Sequence, residues 1–81
     1  KSGAGEAIVA NKIRGIRAIQ GFSDENVKLS REDNNANILS LGTAFVEMEK
    51  ALTFIDLFIN TPFSNEERHV RRVEKITELE S

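Results

Sequence analysis

The chain has 81 residues, a formal net charge of −2, 40% hydrophobic and 30% charged residues, one histidine and no cysteine. A chain of this length forms at most one small domain and buries only about 60% of its unfolded surface. The composition indicates a globular, cytoplasmic protein and gives no reason to expect a nucleic-acid partner. The sequence also offers no disulfide framework, no metal site and no apolar stretch near the ~20 residues of a membrane span.

The first part of the chain predicts a helix, a strand and a second helix. The glycine turn Ser2–Gly5 opens a short helix over Glu6–Lys12, which a later glycine ends. The segment Ile16–Gln20 lies between two glycines and begins with a β-branched residue, so it predicts a strand. Ser23 is a candidate N-cap followed by acidic residues, which indicates a helix that runs to about Arg31.

The second part begins with a polar, asparagine-rich run at residues 30–37, followed by an apolar strand at Ile38–Leu41. Because asparagine competes with the helical backbone, we expect this run to be a loop that presents side chains to a ligand. Glu47–Asn60 has a wide apolar arc, which predicts a helix packed on the sheet and on something else, such as a second subunit. Ser64–Glu67 matches a capping box that starts a last helix, which runs to about Leu79.

The resulting order is helix, strand, helix, strand, helix, helix. It is typical of parallel strands with right-handed crossovers, and it predicts an α/β fold that is part of a doubly wound, Rossmann-like sheet. Two parallel strands alone have exposed edges and little core. A glycine turn such as the one at residues 2–5 also normally follows a strand. We therefore expect residues 1–81 to be the carboxy-terminal portion of a single domain whose front half is missing.

Three segments carry a resemblance to a known family: SGAGEAIVANK at residues 2–12, SREDNNANILSLG at residues 30–42 and RHVRR at residues 68–72. Together they resemble the ribose-5-phosphate isomerase type B and galactose-6-phosphate isomerase family. The resemblance implies an isomerase that interconverts ribose 5-phosphate and ribulose 5-phosphate, or a related sugar phosphate, through an enediolate and without a cofactor or metal. It also implies a homodimer or tetramer with active sites shared between subunits, so that the isolated fragment is inactive.

An aldose–ketose isomerase needs a base, donors for an oxyanion and cations for the phosphate. The resemblance assigns the base to Glu6, although many family members instead use a cysteine at the position before Lys1. It assigns the contacts with the sugar oxygens to the glycine turn, that is, to Ser2, Gly3, Ala4 and Gly5. The residues alone leave an alternative open, in which the turn is a simple strand-to-helix connection and the glutamate only complements the helix dipole.

The second of these segments contains one residue that matches the family and one that departs from it. Asn34 matches an asparagine that contacts substrate in the family. Asp33 stands where most members have a histidine associated with opening the sugar ring. A carboxyl group can also shuttle a proton, but an aspartate with an ordinary pKa is a poor acid at pH 7. The alternatives are a perturbed Asp33, another group that opens the ring, or a helix-terminal residue that only caps the loop.

Arg68 and Arg72 are four residues apart on one predicted helix face, so both guanidiniums can reach one phosphate. Arginines at these positions bind the substrate phosphate in the family, and the alternative is a solvated basic face paired with nearby glutamates. His69 is expected to be a polar packing residue rather than a catalyst. Ala44 stands where the family usually has a further phosphate-binding arginine.

Two functions of other classes remain open. The departures at Asp33 and Ala44 are compatible with a non-catalytic sugar-phosphate-binding module. The chain is also compatible with a structural half-domain that needs a complementary fragment.

Overall fold

The computed structural model describes residues 1–80 and has the predicted order of helices and strands. The elements are α1 (Ala4–Ala10), β1 (Ala18–Gln20), α2 (Asp24–Asn34), β2 (Ile38–Ser40), α3 (Met48–Asn60) and α4 (Glu67–Leu79). The two strands pair in parallel, with Ala18 opposite Ile38, and α2 is the crossover between them. The α/β class with parallel strands is thus confirmed. Within residues 1–80, every helix is too short or too polar to cross a membrane.

The ends of the first two helices follow from their caps. Helix α1 begins and ends earlier than predicted, because Gly3 takes a left-handed conformation (φ 84°) and serves as its N-cap. Helix α2 begins as predicted after Ser23, which forms a capping box with Asn26. It extends past its predicted end to Asn34, and the left-handed Asn35 (φ 50°) is its C-cap.

The predicted capping box at residues 64–67 is wrong. Helix α4 has Glu66 as its N-cap, without a side-chain cap. Asn65 is left-handed (φ 60°), which places Ser64 outside the N-cap position. The Ser64 hydroxyl instead accepts a hydrogen bond from the Glu66 N–H at 3.3 Å and lies 2.9 Å from Nδ1 of His69.

The core is small: α1 and α2 cover the two strands, and α3 packs mainly on α2, whereas it was predicted to pack on the sheet. Its two fully buried larger side chains are Val27 on α2 and Phe54 on α3, and these two helices pack against each other. The other buried hydrophobic residues are alanines, which let helix and strand backbones approach closely; they are Ala7, Ala18 and Ala36.

Helix α3 leaves half of its apolar arc uncovered. Phe54 faces the core, whereas a row on another face is 41–75% exposed: Met48, Leu52, Ile55 and Ile59. Their spacing of four, three and four residues places them on one face of the helix. We call this row the α3 stripe. The predicted second apolar surface is therefore present, and nothing within residues 1–80 covers it.

Candidate functional site

The glycine turn Ser2–Gly5 lies at the carboxyl ends of both strands. Nε2 of Gln20, the last residue of β1, donates a hydrogen bond to the Ser2 carbonyl at 2.9 Å. Oγ of Ser40, the last residue of β2, donates to the Gly3 carbonyl at 2.7 Å. One polar side chain from each strand therefore fixes the turn, and neither of them was predicted from the sequence.

Two glycines allow the turn to pack directly on the end of β2. A Cβ atom on Gly42 would overlap the Ser2 carbonyl, and one on Gly3 would lie 2.9 Å from Oγ of Ser40. The space beside Gly5 is different, because a Cβ atom there would meet nothing within 4 Å. The turn thus needs glycine at residues 3 and 42 for packing, whereas residue 5 faces open space.

The turn presents backbone donors beside a carboxylate. The Ala4 N–H donates to Oγ of Ser2 at 3.3 Å, while the N–H groups of Gly5 and Glu6 have no acceptor within residues 1–80. Free N–H groups at the start of a helix stabilise a negatively charged oxygen. The exposed Glu6 side chain lies in the same first turn of α1. A carboxylate and two N–H groups without an acceptor are therefore within one helical turn.

The residues Asp33 and Asn34 lie toward the other end of the sheet. They form the last turn of α2, which starts after the carboxyl end of β1 and ends before the amino end of β2. A helix of this length spans on the order of 16 Å. Within one chain, Glu6 and Asp33 are therefore separated by roughly the length of α2, and they do not share a pocket.

The asparagine run was predicted to be a loop, but residues 30–34 belong to α2. Two of its later side chains bond to other groups of the chain instead of facing a ligand. Oδ1 of Asn37 accepts a hydrogen bond from the Arg17 N–H, and its Nδ2 donates to the Gly15 carbonyl, both at 2.7 Å. Asn35 is the C-cap of α2, and its Oδ1 accepts from a guanidinium at 3.1 Å. Asn34 is exposed and remains a candidate for substrate contact.

His69 connects α4 to this second cluster. It is the buried residue of α4, at 5% exposure, which agrees with the expected packing role. Its Nε2 lies 3.5 Å from Oδ1 of Asp33, and its Nδ1 lies 2.9 Å from Oγ of Ser64 and 3.4 Å from Oε2 of Glu66. The contact with Asp33 could not be predicted from the sequence, because the two residues are distant along the chain.

The two candidate phosphate-binding arginines lie on α4, on the side of Asp33 rather than of the glycine turn. Arg68 donates from Nη2 to Oε2 of Glu66 at 3.0 Å, in a pair exposed to solvent. Arg72 is also exposed. An exposed ion pair contributes at most about 1 kcal/mol. The pair between Arg68 and Glu66 is therefore weak, and neither of the two candidate arginines is buried.

Arg31 holds this end of the fold together and was not identified from the sequence. Its Nε donates to the Thr61 carbonyl at 2.9 Å, and its Nη1 donates to Oδ1 of Asn35 at 3.1 Å and to the Ala36 carbonyl. Its guanidinium also lies 5.7 Å from the ring centre of Phe58. These contacts join the end of α2 to the end of α3. They hold the last turn of α2 in place before β2.

A separate groove of about 660 Å³ runs between the segment after α1 and the end of α4. Asn34 is the one predicted site residue that lines it. The groove therefore does not coincide with the site that the sequence predicts. Within residues 1–80, no group of three or more histidine, aspartate or glutamate side chains is placed to hold a metal ion.

Comparison with known sequences gives consistent matches. A family model described as Ribose/Galactose Isomerase matches residues 1–76. Ribose-5-phosphate isomerase B of Mycobacterium leprae is 42% identical over 79 residues, which cover 98% of this chain and 49% of that protein. The protein of the same name from Escherichia coli strain K12 is 37% identical over 79 residues, which cover 98% of this chain and 52% of that protein.

Solved structures agree with the sequence matches. Type B ribose 5-phosphate isomerase from Trypanosoma cruzi superposes with a TM-score of 0.95 and 44% identity, covering 98% of this chain and 53% of that one. Ribose-5-phosphate isomerase B from Clostridium thermocellum gives a TM-score of 0.93 and 42% identity, with coverage of 98% and 53%. The chain spans about half the length of these relatives and has their Rossmann-like fold. It belongs to the Ribose/Galactose Isomerase family.

Proposed function

We propose that this chain is the carboxy-terminal portion of a cytoplasmic, cofactor-free isomerase that interconverts ribose 5-phosphate and ribulose 5-phosphate. The observation that carries the proposal is the glycine turn, where the free N–H groups of Gly5 and Glu6 lie in the same helical turn as the Glu6 carboxylate. Enediolate chemistry needs these two elements together, a base and an oxyanion site. The names of the relatives support the choice of substrate.

In the proposed reaction, Glu6 removes the C2 proton of the open-chain aldose. The electron pair forms the C1–C2 double bond, and the C1 oxygen becomes an oxyanion that accepts hydrogen bonds from the N–H groups of Gly5 and Glu6. Return of the proton to C1, with transfer of the O2 hydroxyl proton to O1, yields the ketose. A glutamate base near neutrality normally needs burial. Because Glu6 is exposed in residues 1–80, we infer that the front half of the protein covers it.

We also propose that the active site is shared between two copies of the protein. The cluster of Asp33, Asn34, Arg68 and Arg72 lies at the far end of the sheet from Glu6. A second copy can bring its own cluster to the glycine turn of the first, and the α3 stripe offers an apolar surface for such an assembly. A homodimer or tetramer follows, and the isolated 81-residue chain should be inactive.

The test is the turnover of ribose 5-phosphate by the full-length protein beside its Glu6→Gln variant. The variant should lose at least about 10³-fold in kcat, because the base is removed, and should still bind the sugar phosphate. Undiminished turnover in the variant would contradict the assignment of the base. Sugar-phosphate binding without turnover in the wild-type protein would instead support the non-catalytic module. Activity that appears only after mixing with a separate front half would support the structural half-domain.

A further inference from the structure

His69 is a buried titratable group that the proposed proton transfer at carbon leaves without a role. Its two ring nitrogens each lie beside a carboxylate, Nε2 at 3.5 Å from Asp33 and Nδ1 at 3.4 Å from Glu66. A histidine that only packs needs no acceptor at both nitrogens. A doubly protonated imidazole does, because both of its nitrogens are then donors. The surroundings offer each nitrogen of the His69 ring an oxygen within 3.5 Å, Oδ1 of Asp33 at Nε2 and Oγ of Ser64 at Nδ1.

The proposed reaction requires an acid before Glu6 can act. An aldopentose 5-phosphate is mostly a closed furanose in water, and its ring opens when O4 receives a proton. A free aspartic acid is almost fully ionised at pH 7, whereas an imidazole titrates near neutrality. The Asp33 side chain is 40% exposed and can reach a substrate, whereas the His69 side chain is 7% exposed and cannot. Asp33 is thus accessible to a substrate, whereas the imidazole of His69 is the group that can supply a proton.

We propose that His69 is a positioning residue that supplies a proton to Asp33, so that the pair opens the sugar ring. The inference rests on the proposed isomerase function. The charged groups that face the ring are Asp33 from α2 and Glu66 from the start of α4, and Glu66 is itself paired with Arg68 at 3.0 Å. The Ser64 hydroxyl at Nδ1 completes the surroundings and fixes the orientation of the ring.

The step balances as a proton relay. The Nε2–H bond of the imidazolium breaks as its proton passes to Oδ1 of Asp33, and the carboxyl group passes a proton to O4 of the sugar. The C1–O4 bond breaks with its electron pair on O4, while the C1 hydroxyl loses its proton to water as the carbonyl forms. Solvent then returns one proton to the pair through the exposed Asp33, so the number of protons is unchanged.

The competing explanation is that His69 only docks α4 on α2. His69→Gln separates the two roles, because a glutamine amide can still donate to Asp33 from the position of Nε2 but does not titrate. Asp33→His separates the two roles in a second way. An imidazole at the exposed position 33 can protonate the sugar without receiving a proton from His69. In the Asp33→His background, the residue at position 69 should no longer matter for ring opening, although it would still matter for docking.

The experiment compares two reactions of the full-length protein. Turnover of ribose 5-phosphate requires ring opening. Deuterium exchange from D2O into C1 of ribulose 5-phosphate does not, because the C5 hydroxyl that would close its ring is esterified. In His69→Gln, turnover should fall by about 10²-fold or more, the usual contribution of an acid catalyst, while exchange stays within about threefold. In the wild-type protein, the ratio of turnover to exchange should fall as pH rises and the ring loses the proton that it supplies. That pH dependence should vanish in the variant.

Equal losses of turnover and exchange in His69→Gln would overturn the proposal, and so would the same loss of turnover in the Asp33→His background. If His69→Gln does not fold, Asp33→Asn takes its place, because it leaves the buried ring intact and should also lose turnover while keeping exchange. Loss of both reactions in Asp33→Asn would overturn the proposal as well. A wild-type protein that shows neither reaction would overturn the isomerase function itself, a result distinguishable from all the others.

Discussion

Gly42 is the position at which one methyl group should detach the glycine turn from the sheet. An added Cβ atom would overlap the carbonyl of Ser2, which is backbone and cannot rotate away. The turn would have to move off the end of β2. The hydrogen bonds from Gln20 to Ser2 and from Ser40 to Gly3 would then be lost or stretched. The change should therefore weaken both the fold and the proposed oxyanion site.

The expected loss in the free energy of unfolding for Gly42→Ala is about 2–6 kcal/mol. Two hydrogen bonds account for roughly 0.5–1.5 kcal/mol each, and overpacking typically adds about 1–3 kcal/mol. Urea unfolding of the full-length protein measures the loss. Gly5→Ala is the matched control, because its Cβ atom meets nothing within 4 Å and alanine is favoured in a helix by up to about 1 kcal/mol. Equal stability of the two variants would refute the reasoning.

Two further predictions concern other parts of the fold. Arg31→Met leaves the Thr61 and Ala36 carbonyls without their donor and should lower the free energy of unfolding by about 2–4 kcal/mol in urea; a loss below about 1 kcal/mol would show that these contacts carry little. Leu52→Glu places a charge in the α3 stripe and should shift the full-length protein towards monomers in sedimentation velocity, whereas Thr53→Gln on the exposed polar face should not. An unchanged assembly in Leu52→Glu would remove the stripe from the interface.

Local chemistry explains which elements were predictable. Ser23 and Asn26 are close in sequence and cap each other, so the start of α2 could be inferred. The end of α2 could not, because asparagine is disfavoured within helices yet favoured at a left-handed C-cap, the position that Asn35 takes. Arg31 then ties this helix end to residues that are far along the chain, which no local pattern reveals.

The candidate site was predictable as a set of residues but not as an arrangement. The motif that contains Glu6 could be recognised as a turn at a helix start, and the structure places it there. That Asp33 lies at the far end of the sheet depends on the direction of the crossover helix rather than on any motif. The contact between His69 and Asp33 depends on how α4 packs on α2. The hydrogen bond that Asn37 accepts from the Arg17 N–H depends on its position beside β1.

The shared active site is the central claim, and mixing two inactive variants tests it most directly. Glu6→Gln removes the proposed base at the glycine turn. The double variant Asn34→Ala/Arg72→Ala removes two members of the cluster at the far end of the sheet. If one site takes a cluster from each of two copies, random reassembly of the two proteins should restore about a quarter of the wild-type activity, because half of the dimers then contain one intact site of two. A mixture as inactive as its components would contradict the account.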